Sequence, residues 1–165
     1  ALRDITIRHN GIYTSSAVGE VNVVEKMKIT NAIIGGEGNG GIIYPELHYG
    51  RDALVGIALF LTQLAERKIS AKQLRESYPD YVISKNKIQL TPEINVDKIL
   101  KTLLEKYKND HITTIDGLKI DFEDGWVHLR KSNTEPIIRV YAESEGKVKA
   151  KSLAEKMIKE IKNLI

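Results

Sequence analysis

The 165-residue chain contains no cysteine, one tryptophan, two phenylalanines and four prolines. Without cysteine there can be no disulfide and no thiolate chemistry, which fits a reducing compartment. The longest apolar run, around Ala53–Leu64, falls short of the roughly 20 residues that a membrane-crossing helix needs, so no membrane partner is expected. Charge of one sign is also scarce. The net value of +3 is too small by itself to mark a dedicated nucleic-acid binder. The four histidines, His9, His48, His111 and His128, show no metal-ligand spacing, and no Ser–His–Asp set can be assigned. No internal repeat or low-complexity segment is visible. What is present is a globular composition, 42% hydrophobic and 28% charged, enough for one ordinary domain or two small ones.

The first half reads as mixed. Short strands are expected around residues 3–7, 11–14, 32–35 and 41–44. Leu54, Ile57, Ala58, Leu61, Leu64 and Ala65 then recur at helical spacing, with Asp52 as N-cap, and a short helix is expected from Ser70. The stretch Tyr78–Pro92 holds two prolines and a polar middle, Ser84-Lys85-Asn86-Lys87, and reads as a connector. Beyond it, Val96, Ile99, Leu100, Leu103, Leu104 and Tyr107 form an apolar helical stripe capped by Asn95. Three strands follow, Leu118–Phe122, Trp126–Arg130 and Ile137–Ala142, and then an amphipathic helix carrying Ala150, Leu153, Ala154, Met157, Ile158, Ile161 and Leu164 on one face. The expected fold class is α/β plus α+β. A partial mixed α/β domain (1–80) is followed by a connector or hinge (81–91), then by an antiparallel sheet with two helices packed on one face (92–165).

Asp124-Gly125 is a two-residue hairpin signal. A turn there pairs Glu123 with Trp126, Phe122 with Val127 and Ile120 with Leu129, so the apolar pairs share one face. The opposite face then carries Asp121 across from His128 and Lys119 across from Arg130. Two opposed cations are mildly destabilising unless an anion lies near them. The loop that follows reads Arg130-Lys131-Ser132-Asn133-Thr134-Glu135-Pro136. Arg130 offers a planar fork for two oxygens, Ser132 and Thr134 offer hydroxyls, and Asn133 offers an amide. Consecutive backbone N–H groups in such turns also bind anions. Glu135 fits this only if it turns back toward the loop's own chain. The alternative is a solvated polar turn.

The run Gly35-Gly36-Glu37-Gly38-Asn39-Gly40-Gly41 contains five glycines in seven residues. It contains G-x-G-x-x-G, but it leads into the strand-like Ile42-Ile43-Tyr44 rather than a helix, which excludes a dinucleotide site, and no Lys-Ser/Thr follows. Glu37 can accept hydrogen bonds from neighbouring hydroxyls, and Asn39 both donates and accepts. That chemistry suits a polyol better than a phosphate. The alternative is a surface loop without a ligand.

Taken together, these two loops resemble the third and fourth domains of the α-D-phosphohexomutases, the phosphoglucomutase/phosphomannomutase group. Gly36-Glu37-Gly38-Asn39-Gly40 is similar to the family's sugar loop, G-E-x-[SN]-G. Arg130, Ser132, Asn133, Thr134, Glu135 and Pro136 match its phosphate loop, R-x-S-[GN]-T-E-P. The segment Ala17–Met27 and the helix after Tyr49 also resemble the family, so the likeness spans nearly the whole chain. It implies that Glu37 and Asn39 contact sugar hydroxyls and that Arg130, Ser132, Asn133 and Thr134 hold the phosphate that is not being transferred. Glu20 lies where the family varies with substrate. Gly41 departs from the His of many bacterial members, and Lys131 from a common Pro or Ala.

The resemblance further implies an isomerase that moves a phosphoryl group within a hexose phosphate through a bisphosphorylated intermediate, in the cytoplasm. The family's phosphoserine loop and Mg²⁺-holding aspartate loop belong to its first two domains, and neither motif occurs here. The chain is therefore expected to begin partway through a longer protein. The expected partners are a hexose phosphate and the preceding domains, with Mg²⁺ bound outside these residues and no catalytic or metal-ligating residue within them. Alone, the chain is expected to be inactive. Phosphoglucosamine mutase is the alternative within the family. A noncatalytic module binding anions or nucleic acid is the alternative outside it, disfavoured because only Trp126 is placed to stack a base.

Overall fold

The computed structural model describes residues 1–91, 93–132 and 135–165. The chain divides into two compact units, Ala1–Pro79 and Asp80–Ile165.

The first unit contains α1 (Leu2–Arg8), α2 (Glu20–Thr30), β1 (Gly35–Gly36), β2 (Ile42–Tyr44), β3 (His48–Arg51), α3 (Ala53–Arg67) and α4 (Ala71–Glu76). Its strands form one antiparallel sheet in the order β1-β2-β3. The strand expected around 41–44 is present as β2. The strand expected at 3–7 is instead helix α1. Alternating Ile and Thr suggest a strand, but the backbone closes local bonds (Ile5 N–H to Ala1 O, 3.0 Å) and the Thr6 hydroxyl donates back to Leu2 O at 2.9 Å. Residues 11–14 form no strand, and only Gly35 of 32–35 does. Helix α2 was not expected from periodicity. Helix α3 starts where expected, with Asp52 Oδ1 accepting from the Leu54 and Val55 amides at 2.8 and 3.0 Å. Ser70 opens α4 in a reciprocal capping pair with Gln73.

The second unit contains β4 (Tyr81–Gln89), α5 (Val96–Lys106), β5 (His111–Thr113), β6 (Leu118–Phe122), β7 (Gly125–Lys131), β8 (Ile137–Glu145) and α6 (Lys147–Lys162). Five antiparallel strands lie in the order β4-β8-β7-β6-β5. Asn95 caps α5 by accepting from Lys98 N–H at 3.0 Å. The core lies on one face of the sheet, where Ile120, Val127, Leu129 and Val140 meet Val96, Ile99 and Leu103 of α5 and Ala154, Met157 and Ile161 of α6. Two helices on one face of an antiparallel sheet is the arrangement expected from the sequence.

Two expectations need correction. The 81–91 segment is not a connector, because residues 81–89 are strand β4, paired along its whole length with β8. Its polar middle misleads for a physical reason. β4 is an edge strand with one solvated face, and Ser84 and Asn86, which point inward, satisfy each other (Nδ2 to Oγ, 3.0 Å). The second correction concerns the hairpin register. Glu123 and Asp124 form the turn, and Gly125 is already in the strand opposite Phe122. A Cβ on Gly125 would lie 2.1 Å from Glu143 O, so glycine is needed where β7 runs close to β8. The slip is two residues. Side chains therefore keep their faces but change partners: Ile120 opposes Val127, Asp121 opposes Trp126 and Lys119 opposes His128.

Candidate functional site

In the glycine loop, Glu37 N–H donates to Gly41 O and Gly40 N–H to Glu37 O, both at 3.1 Å, which folds the chain back between β1 and β2. The structure brings Glu37 and Asn39 together. Asn39 Nδ2 donates to Glu37 Oε2 at 3.4 Å, and Asn39 Oδ1 accepts from Gly41 N–H at 3.0 Å. The half-buried Glu37 carboxylate is held from a second side by the Gly19 amide, which donates to Oε1 at 3.1 Å. Gly19 is the N-cap of α2, so the loop acid and the start of α2 form one unit. Next to them Arg51 Nε meets Glu20 Oε2 at 2.8 Å. A Cβ on residue 41 would lie 2.7 Å from Arg51 Cδ and 3.2 Å from Asn39 Oδ1. Glycine at 41 thus leaves room for Arg51 against the loop. Sequence reasoning missed Arg51 and Gly19. A loop acid does not reveal in advance which distant amide will hold it.

In the second unit, Arg130 and Ser132 lie at the end of β7, while Asn133 and Thr134 fall outside the described residues. Ser132 is buried, and its N–H donates to Ile137 O at 3.1 Å, tying the two ends of the loop together. Arg130 does not oppose Lys119, as expected, but Arg139 on β8. It is held by Asp116, whose Oδ2 lies 3.1 Å from Nη1. The Glu135 carboxylate is 3.7 Å from Arg139 Nη2. The Arg139 guanidinium is pushed above its ordinary value chiefly by its hydrogen bond to the Tyr141 hydroxyl and by its electrostatic attraction to Tyr141, against the opposing effect of burial, with Glu135 adding least. Arg139 and Asp116 were not singled out from the sequence. The pairing of β7 with β8 places the first, and the turn before β6 places the second.

The polar face of this sheet holds Trp126, whose Nε1 donates to Glu143 Oε1 at 3.0 Å with Lys119 over its ring. It also holds Tyr141, with Lys85 over its ring. Trp126 is therefore not the only aromatic there. Among the described residues, no group of three or more His, Cys, Asp or Glu is placed to hold a metal ion. Also among the described residues, no helix is long and apolar enough to cross a membrane.

An antiparallel sheet backed by two helices, with a cationic loop at one end, is preceded by a smaller unit with a glutamate-bearing glycine loop. Comparison with known proteins agrees. Residues 1–81 match the phosphoglucomutase/phosphomannomutase alpha/beta/alpha domain III, and residues 85–160 match the phosphoglucomutase/phosphomannomutase C-terminal domain. The chain belongs to the phosphoglucomutase/phosphomannomutase family.

It is 39% identical over 150 residues to a phosphoglucosamine/phosphogalactosamine mutase of Sulfurisphaera tokodaii, covering 90% of this chain and 32% of the relative. It is 34% identical over 158 residues to a phosphoglucomutase/phosphomannomutase of Thermococcus kodakarensis, covering 96% and 35%. A crystal structure of a phosphoglucomutase/phosphomannomutase family protein from Burkholderia thailandensis shares the fold, with a TM-score of 0.76 at 22% identity over 98% of this chain and 35% of that one. The chain thus spans about a third of the length of the relatives it matches.

Proposed function

We propose that this chain supplies the sugar and phosphate grips of a phosphohexomutase, an isomerase that moves a phosphoryl group within a hexose phosphate through a bisphosphorylated intermediate. Glu37 and Asn39 bind sugar hydroxyls. Arg130, Ser132, Asn133 and Thr134, joined by Arg139, hold the phosphate that stays on the sugar. The observation that carries this reading is the pair of opposed arginines, Arg130 and Arg139, beside the buried Ser132 at the end of one hairpin. Asp116 and Glu135 each meet one of the two guanidiniums, and a guanidinium fork matches phosphate oxygens. The nucleophile and Mg²⁺ belong to the preceding domains of the full enzyme, so the chain alone turns over nothing.

Glu37 is well suited to its role. A carboxylate already oriented by the Gly19 amide and by Asn39 can accept from a hydroxyl pair without first losing side-chain freedom. Relatives named probable phosphoglucosamine mutase make an amino sugar phosphate the alternative substrate.

Calorimetric titration of the chain with glucose 1-phosphate and glucosamine 6-phosphate tests this reading. Arg130→Ala is expected to weaken binding by about 1.5–3 kcal/mol, the range for hydrogen bonds to charged groups. Glu37→Gln should weaken the sugar phosphates while leaving inorganic phosphate unaffected. Unchanged affinity in both variants would refute the proposal, and mutase turnover by the chain alone would refute its inactivity.

A further inference from the structure

Three cations stand in one row across the second sheet. Lys87 of β4 lies directly opposite Arg139 of β8, and Arg139 lies directly opposite Arg130 of β7. Opposed residues share a face, and this is the solvated one, since the flanking Ile88, Val140 and Leu129 are buried in the core. The next row adds Lys85, Tyr141, His128 and Lys119, again with no acid. Acids enter only in the third row, with Glu143 and Asp121. The face is therefore graded, and its basic end is the end that carries the β7–β8 loop.

The three cations of the first row are not equally compensated. Arg130 has Asp116 at 3.1 Å and Arg139 has Glu135 at 3.7 Å. Lys87 is exposed and forms no ion pair among the described residues. It is nevertheless held next to the loop. Leu90, just past the end of β4, donates its N–H to Pro136 O at 2.9 Å, and full pairing of β4 with β8 fixes the height of Lys87 along the strand.

We propose that Lys87 is a phosphate-binding residue, the outer end of a cationic strip, Lys87–Arg139–Arg130, that takes a phosphate dianion. This rests on the role given to Arg130 above and extends that site to a third strand. Neighbouring Cβ atoms across a sheet are about 5 Å apart. The strip is thus roughly 10 Å wide, a span that a lysine and an arginine close by leaning toward each other. The two cation types divide the work. Arg130 presents a rigid planar fork, whereas Lys87 is a compact charge on a flexible four-carbon stem. A lysine that follows the phosphate suits a ligand whose sugar must be accepted in two orientations.

The test is titration of the full 165-residue chain with inorganic phosphate and glucose 1-phosphate, comparing Lys87→Gln, Lys87→Glu, Lys87→Arg and Arg130→Ala. Lys101→Gln, an exposed position on α5, serves as the charge-matched control, with circular dichroism to confirm folding. Lys87→Gln is expected to weaken both anions about three- to fivefold, the scale of an exposed charge pair, and Lys87→Glu by about tenfold. Lys87→Arg should stay within about twofold of the parent, and Lys101→Gln should change nothing. If Lys87→Gln behaves like Lys101→Gln while Arg130→Ala loses binding, the role of Lys87 is overturned and that of Arg130 survives. If the parent chain binds neither anion, both fall. Much tighter binding of a single-stranded oligonucleotide than of glucose 1-phosphate would make the strip a nucleic-acid surface and overturn the proposal.

Discussion

Asp116 holds Arg130. Its Oδ2 lies 3.1 Å from Nη1, at the end of a turn that can pass over β7 only because residue 117 is glycine. Gly117 has φ +77°, and a Cβ there would lie 2.2 Å from Leu129 O. The contact uses one guanidinium nitrogen, so Arg130 keeps other donors for a ligand.

Removing this guide should loosen Arg130 and weaken anion binding. Asp116→Ala is expected to lower glucose 1-phosphate affinity about three- to tenfold, comparable to one modest hydrogen bond, with little change in circular dichroism. A rise in affinity would mean that Asp116 competes with the anion for Arg130.

Gly125 tests the observed register. With a Cβ 2.1 Å from Glu143 O, Gly125→Ala must push β7 away from β8 at the hairpin end of the sheet. Urea unfolding should show a loss of about 2–3 kcal/mol, in the range for strained backbone sites. Asp124→Ala, in the exposed turn, should cost under about 0.5 kcal/mol. Equal, small effects at both positions would contradict the pairing.

Glu160 makes stability depend on pH. Tyr107 donates to its Oε1 at 2.8 Å, and Lys106 Nζ lies 2.8 Å from Oε2. Burial pushes the carboxyl up, but hydrogen bonds from Lys106 and Tyr107, together with Lys106 and Lys156 charge, outweigh it and hold the group below the usual carboxylate range. A carboxyl depressed in the folded state contributes stability above its unfolded value, about 4.3, and loses it as pH falls through the folded value. Glu160→Gln should therefore cost about 1–2 kcal/mol at neutral pH, with the difference from the parent closing below about pH 4. A difference that stays constant from neutral to acid pH would exclude this linkage.

Helix α3 has no buried residue. Leu54, Ile57 and Leu61, part of its apolar stripe at helical spacing, are 77%, 54% and 56% exposed. Contiguous apolar surface of this kind binds apolar dyes and promotes association. The chain should enhance the fluorescence of anilinonaphthalene sulfonate while fully folded, and Leu54→Gln/Ile57→Gln/Leu61→Gln should abolish most of that signal. An unchanged signal would place the dye elsewhere.

Elements governed by near neighbours in the chain were legible in the sequence. Asp52, Ser70 and Asn95 cap their helices as anticipated, because a cap bonds amides only two or three residues away. The stripes of α5 and α6 do face a core, because helical period alone decides which side chains share a side, but Leu164 lies past the end of α6 and is exposed. The two loops were legible as chemistry, since donors and acceptors crowd into a few residues whatever the fold. β4 and β5 were not read. An edge strand has one solvated face, and its polar residues look like a linker until their partners across the sheet are known.

Sequence alone settled what depends on near neighbours in the chain: the helix caps and the helix faces of the second unit. Tertiary structure decided everything that depends on pairing between distant segments. It placed the Gly19 amide on Glu37, Asp116 on Arg130, and Arg139 and Lys87 in the same row as Arg130. The reason is physical. A two-residue slip leaves every side chain on its own face and keeps the hydrophobic pattern intact, so the alternation of residues carries no information about which cation opposes which. In the observed register backbones pass close to Gly125 and Gly117, and that approach exists only once the strands have met.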